Sequence, residues 1–173
     1  MDGVKRRREI LKVLNNSKEP VTGSTLAKDF NVTRQVIVQD VAILRAEGKD
    51  IIATPQGYMM AKNQEKKLRQ VIACQHDDAD LINELYIIVD NGGTVVDVIV
   101  EHPVYGELRG ILNLKSRYDV KQFMEKMESS KAKPLCFLTE GVHLHTIEAD
   151  EQTIFQHIVK DLHKAGILLF FDK

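Results

Sequence analysis

The 173-residue sequence predicts an α+β fold in two successive parts. The first third alternates helical periodicity with one short hairpin. The remainder interleaves helices with β-branched strands, as expected for an α/β sandwich in which helices cover a mixed sheet. A charge contrast separates the parts: residues 1–66 hold 12 Lys and Arg against 8 Asp and Glu, and residues 67–173 hold 12 against 17. A basic part followed by an acidic one suits a polyanion partner for the first and a different task for the second.

Residues 5–16 place Ile10, Leu11 and Leu14 at helical spacing among basic residues. Pro20 and Gly23 interrupt the pattern, and Ser24 is the expected cap of a short helix with Leu26, Ala27 and Phe30 on one stripe. Asn31-Val32 makes a tight turn. Thr33 then caps a longer helix ending at Gly48, with Ile37, Val41 and Leu44 as its core face. DIIAT and GYMMA, joined through Pro55-Gln56, form a hairpin. Helix, helix, tight turn, helix and hairpin are the parts of a winged helix-turn-helix DNA-binding domain, assigned to residues 1–62, with 63–66 as linker.

The second domain, 67–173, opens with KLRQVIAC as a strand and a helix from Asp78 to Asp90. TVVDVIVE and ELRGILNL are strands joined by the HPVYG turn. A helix runs from Ser116 to Met127, LCFLT and VHLHTIEA are strands around Glu140-Gly141, residues 151–164 form a helix, and GILLFF is a last strand.

No apolar run approaches the ~18 residues of a spanning helix, and MDGVKRRREI lacks the apolar core of an export signal, so no membrane partner is expected. Cys74 and Cys136, read as small core residues, cannot build a disulfide framework; a reducing cytoplasm is the expected compartment. Ten aromatic residues and no Trp argue against a stacking platform for single strands.

Three places could hold function. On the helix from Thr33, the outward residues are Thr33, Arg34, Gln35, Val38 and Gln39. Arg reads guanine edges, Gln reads adenine, Val meets a thymine methyl, and a capping hydroxyl suits a phosphate. Lys5, Arg6, Arg7 and Arg8 are expected to add phosphate contacts, and Gln56 at the wing tip to reach the backbone or minor groove. The plain alternative is a solvated polar face; the adjoining turn and hairpin favour DNA. Second, His143 and His145 alternate on one strand and share a face ~6.5 Å apart. Such a pair is either a half-exposed strand face or two ligands of one ion. His76 at a strand end and Glu84, eight residues on, could complete a site for Zn, Ni, Fe or Mn. Third, EHPVYGEL crowds His102, Tyr105 and a carboxylate at a turn, with Arg109 just beyond; it is either a pocket edge or a stapled hairpin, and Arg109 reads first as an outward strand residue. His157 and His163 read as surface residues.

VTRQVIVQDVAILRAEG followed by IIATPQGY resembles the winged helix of the biotin-repressor type. CQH at 74–76, NGGTVVDVIVEHPVYGELRGIL and EGVHLHTIEA resemble the 3H domain, named for three histidines. Together they are similar to the niacin-responsive transcriptional repressors over nearly the whole chain. The resemblance implies a homodimeric repressor of NAD-synthesis and niacin-uptake genes, with nicotinic acid as co-repressor. It also implies a divalent transition metal on His76, Glu84, His143 and His145. The dimer surface is expected in the acidic second domain, because the basic one must face DNA. An effector contact is expected among His102, Tyr105 and Arg109. A metal-dependent enzyme and a repressor responding to metal alone are the competing classes; no phosphate loop or nucleophile motif favours the enzyme.

Overall fold

The computed structural model describes residues 2–61 and 67–169. Two compact units result, residues 1–64 and 65–173; the expected linker at 63–66 lies outside the described residues.

In the first unit, α1 (Gly3–Asn16), α2 (Gly23–Asp29) and α3 (Arg34–Ala46) precede a two-stranded wing, β1 (Ile51–Thr54) and β2 (Gly57–Met60). Each helix starts at a side-chain cap: Asp2 accepts from the Lys5 amide, Thr22 from Thr25 and Thr33 from Val36. The cap of α2 is therefore Thr22, not Ser24. Asn31 takes a left-handed conformation (φ 51°) in the tight turn before α3. Ile10, Leu14, Leu26, Ile37, Val41, Leu44 and Ile51 form one buried cluster, the stripe that helical spacing predicts. The wing is tied back by paired main-chain hydrogen bonds between Val21 and Tyr58, 2.8 Å each way. That approach requires glycine at 57: a Cβ there would lie 2.5 Å from the Val21 carbonyl oxygen.

Asp40 also falls on the buried stripe of α3. Arg6 Nε donates to its Oδ2 at 2.5 Å and Arg7 Nη1 to its Oδ1 at 3.3 Å, so both guanidiniums bind α1 to α3. Within the unit, a buried carboxylate engages both of the arginines from which phosphate contacts are expected. Asp40→Ala should destabilise the chain by roughly 2–3 kcal/mol, at the low end for a broken buried pair because the arginines keep some access to water. Urea denaturation measures it.

The second unit is built on a four-stranded sheet in the order β3-β6-β4-β5, with β3 Leu68–Gln75, β4 Thr94–His102, β5 Gly106–Leu114 and β6 Val142–Ala149. All three pairings are antiparallel, so the α+β class holds but the sheet is not mixed. The helices α4 (Leu81–Asp90), α5 (Arg117–Ser130) and α6 (Gln152–Lys164) pack their apolar stripes on one face of it, Leu85, Ile88, Val120, Ile158 and Leu162 meeting Ile72, Val95, Leu114 and Ile147. Between β3 and α4 the chain makes a short 3-10 turn, Asp78–Asp80, so the α-helix begins at Leu81 rather than at Asp78.

LCFLT is not a strand but a 3-10 helix, Leu135–Thr139. It is entered from Pro134 and left through Glu140 and Gly141, both left-handed at φ 53° and 87°, which turns the segment away from any strand partner. The last expected strand amounts, among described residues, to an antiparallel bridge of Leu168 with Cys74, flanked by hydrogen bonds from Gln75 N to Ile167 O and from Leu169 N to Ala73 O.

Candidate functional site

The pairing of β3 with β6 sets Cys74 opposite His143 and Ile72 opposite His145. Period-two alternation turns His143 and His145 to the helix-covered face, where both are buried. His76 leaves the end of β3, and the first turns of α4 bring Glu84, 0% exposed, beneath all three rings. His76 Nε2 lies 2.7 Å from Glu84 Oε2, His143 Nε2 3.1 Å from Oε1, and His145 Nε2 3.4 Å from Oε2. The four residues suggested by spacing thus meet around one carboxylate.

The opposite ring nitrogens are fixed by main chain. His76 Nδ1 lies 2.6 Å from the Asp77 carbonyl oxygen, His143 Nδ1 2.8 Å from that of Gly141, and His145 Nδ1 2.6 Å from that of Asp97. A carbonyl only accepts, so each Nδ1 donates and each neutral ring keeps its Nε2 lone pair for the centre. Three lone pairs facing a carboxylate repel it unless a proton or a cation stands between them. His145 Nε2, buried and without a hydrogen-bond partner, marks where such a cation is wanted. The donor set, three imidazole nitrogens and one carboxylate, suits a divalent transition ion.

With protons alone between the groups, burial pushes Glu84 up, but the charge of His145 and hydrogen bonds from His143 and His76 outweigh it and hold the carboxyl well below its ordinary value. Burial pulls His76 and His145 down; the Glu84 carboxylate outweighs it and leaves both above the usual histidine value.

Asp97, at a register shift in β4, supports this centre from behind. Its main-chain oxygen holds His145, Oδ1 accepts from the Thr146 amide at 2.9 Å, and Oδ2 accepts from Arg109 Nη1 at 2.9 Å. Gly141 is needed beside it: its φ is 87°, and a Cβ would lie 2.2 Å from the His76 carbonyl oxygen.

A cavity of about 210 Å³ opens against His143 and His145, walled by apolar side chains including Leu85, Val98 and Phe123. Among the described residues, Lys133 is the only lysine or arginine that lines it. None of His102, Tyr105 and Arg109, the residues among which an effector contact is expected, lines this cavity. His102 Nδ1 caps the β4–β5 turn by accepting from the amides of Val104 and Tyr105. Tyr105 is 75% exposed at that turn, and Arg109 is engaged by Asp97 and Glu107. Lys133 is exposed in the connection before Pro134, its Nζ 4.1 Å over the Phe137 ring; no local sequence period places it at this cavity.

In the first unit, Thr33, Arg34, Gln35 and Gln39 are exposed on α3 and Val38 is half-buried. Gln56 sits half-buried in the wing turn, its side-chain oxygen buried and without a hydrogen-bond partner.

A helix-turn-helix (HTH) domain family matches residues 6–59, and the 3H domain family matches residues 69–170. Over 164 residues the chain is 47% identical to the probable transcription repressor NiaR of Thermotoga maritima, spanning 95% of this chain and 93% of that protein. It is 44% identical over 170 residues to the transcription repressor NadR of Bacillus subtilis, spanning 96% and 94%. The chain belongs to the NiaR/NadR family of transcription repressors. As a member of the NiaR/NadR family it is a DNA-binding transcription repressor and not an enzyme. No helix among the described residues is long and apolar enough to cross a membrane.

Proposed function

We propose that this NiaR/NadR-family chain represses genes of NAD synthesis and niacin uptake, with nicotinic acid as co-repressor and a divalent transition ion on His76, Glu84, His143 and His145. The observation that carries the reading is the orphaned His145 Nε2 in a cluster of three carbonyl-tethered imidazoles at the wall of an apolar cavity. Held by these four residues, a divalent ion would supply a Lewis acid for a pyridine nitrogen or a carboxylate oxygen. The protein supplies the rest: an apolar slot for a flat ring, and Lys133 as an ammonium for the acid group. Nicotinamide keeps the ring but loses the charge, so this lysine discriminates against it.

Operator DNA is read by α3, with Arg34, Gln35 and Gln39 toward base edges. Arg34→Ala should weaken operator binding by about 1–3 kcal/mol and relax the preference at one base position, as read by mobility shift on a panel of operator variants. The chain acts as a homodimer through its second unit, recognising half-sites spaced by whole turns of ~34 Å. Nicotinate acts by favouring the arrangement of the two winged helices that fits both half-sites. Linkage then requires the operator to tighten nicotinate binding by the same factor as nicotinate tightens operator binding.

Calorimetry tests the reading. Nicotinate is expected to bind metal-loaded protein more tightly than metal-stripped protein, and nicotinamide more weakly than nicotinate. Equal nicotinate affinity with and without the ion would remove the metal from the effector site. Repression that follows the ion and ignores nicotinate would leave a metal-responsive repressor.

A further inference from the structure

We propose that Cys74 is a fifth protein donor at the divalent-ion site, its thiolate joining His76, Glu84, His143 and His145. This rests on the metal reading above and adds a ligand to it. Cys74 is 0% exposed, on the strand register that sets it directly across from His143. Its Sγ, a Glu84 carboxylate oxygen and a His143 ring nitrogen all lie within 4.8 Å of one another. A second observation points to a ligand at the same place: the buried His145 Nε2 has no hydrogen-bond partner while standing 3.4 Å from Glu84 Oε2.

Without an ion, burial and the neighbouring Glu84 carboxylate push the Cys74 thiol far up and keep it protonated. The geometry carries the assignment: sulfur, carboxylate oxygen and imidazole nitrogen converge in one buried place, and a divalent ion there would have to displace the thiol proton. The sulfur–metal bond forms as the Sγ proton leaves to solvent, with no change in oxidation state. A soft sulfur also biases the site toward Zn, Ni or Co over Mn. Cys136 is the comparison: it is buried, lines the cavity and lies outside the β3–β6 register that sets Cys74 across from His143.

Cobalt(II) titrated into the metal-stripped full chain, followed by absorption spectroscopy, tests the assignment. The expected result is one cobalt per chain with a near-ultraviolet thiolate-to-cobalt charge-transfer band. The band should vanish in Cys74→Ser and persist in Cys136→Ser, and Cys74→Ser should still take up cobalt about tenfold more weakly. X-ray absorption of the cobalt-loaded wild type should show one sulfur at the metal, a measurement that needs no variant to fold. Cobalt bound without the band and without sulfur overturns the assignment while leaving the four-residue site intact. A band that survives in Cys74→Ser overturns it as well. Absence of cobalt binding by the wild type overturns the metal reading itself, and the assignment with it.

Discussion

Protein purified without an affinity tag should contain close to one divalent transition ion per chain, and His143→Ala/His145→Ala should contain almost none. Elemental analysis decides it, and equal content in the two proteins would refute the site. The size of the effect follows from the geometry: the two rings stand on one strand with both Nε2 atoms toward Glu84, so the double variant removes two of three imidazoles. The pH dependence has two opposing parts. In metal-free protein, Glu84 is held below its ordinary value, so its contribution to stability is present above the ordinary glutamate range and is lost as pH falls through the lowered value. His76 and His145 lie above 6.5, so their contribution is full below 6.5 and is lost as pH rises through their raised values. Metal-free protein should therefore be most stable in mild acid. The ion needs neutral imidazoles, so its binding must displace protons held more tightly than usual and should strengthen steadily as pH rises. Measuring thermal midpoints with and without added ion across this range should show the stabilisation growing with pH.

Gly141→Ala should be among the most damaging single changes in the second unit. The new Cβ would stand 2.2 Å from the His76 carbonyl oxygen in a backbone already at φ 87°, so β6 and the end of β3 must separate. A cost of roughly 2–4 kcal/mol is expected from the clash and the strain together. Metal affinity should fall with it, because the Gly141 carbonyl orients His143. Gly106→Ala is the comparison: its φ is 72° but a Cβ there meets nothing within 4 Å. Only the left-handed strain remains, about 1–2 kcal/mol. Urea denaturation and metal titration of both variants would check the contrast; equal losses would mean that the approach of Gly141 to His76 is not what matters.

The sequence made visible whatever depends on local period. Thr33 and the Ile37–Val41–Leu44 stripe define α3, and alternation alone puts His143 and His145 on one face. What it hid depends on partners distant in the chain. Asp40 sits within the stripe of Ile37 and Val41, where a charge is out of place, and that was a readable sign of a buried ion pair; its partners in α1 were not readable. Cys74 precedes His76 by two residues, but only the register with β6 shows that it faces His143. LCFLT misled because a short apolar run has no period of its own; the preceding proline and following Glu-Gly were the better guides. His102 and Arg109 drew attention by residue type, yet one is absorbed in capping a turn and the other in an ion pair.

The three carbonyl tethers on His76, His143 and His145 have a kinetic meaning. Side chains normally surrender rotamer freedom when they gather around a ligand, and that loss opposes binding. Here the rings are already immobilised by Asp77, Gly141 and Asp97 once the sheet has formed, so capture of the proposed ion would add little ordering. Loosening one tether would return that entropic cost to the binding step. Its signature would be faster escape of the ion, with the rate of entry nearly unchanged.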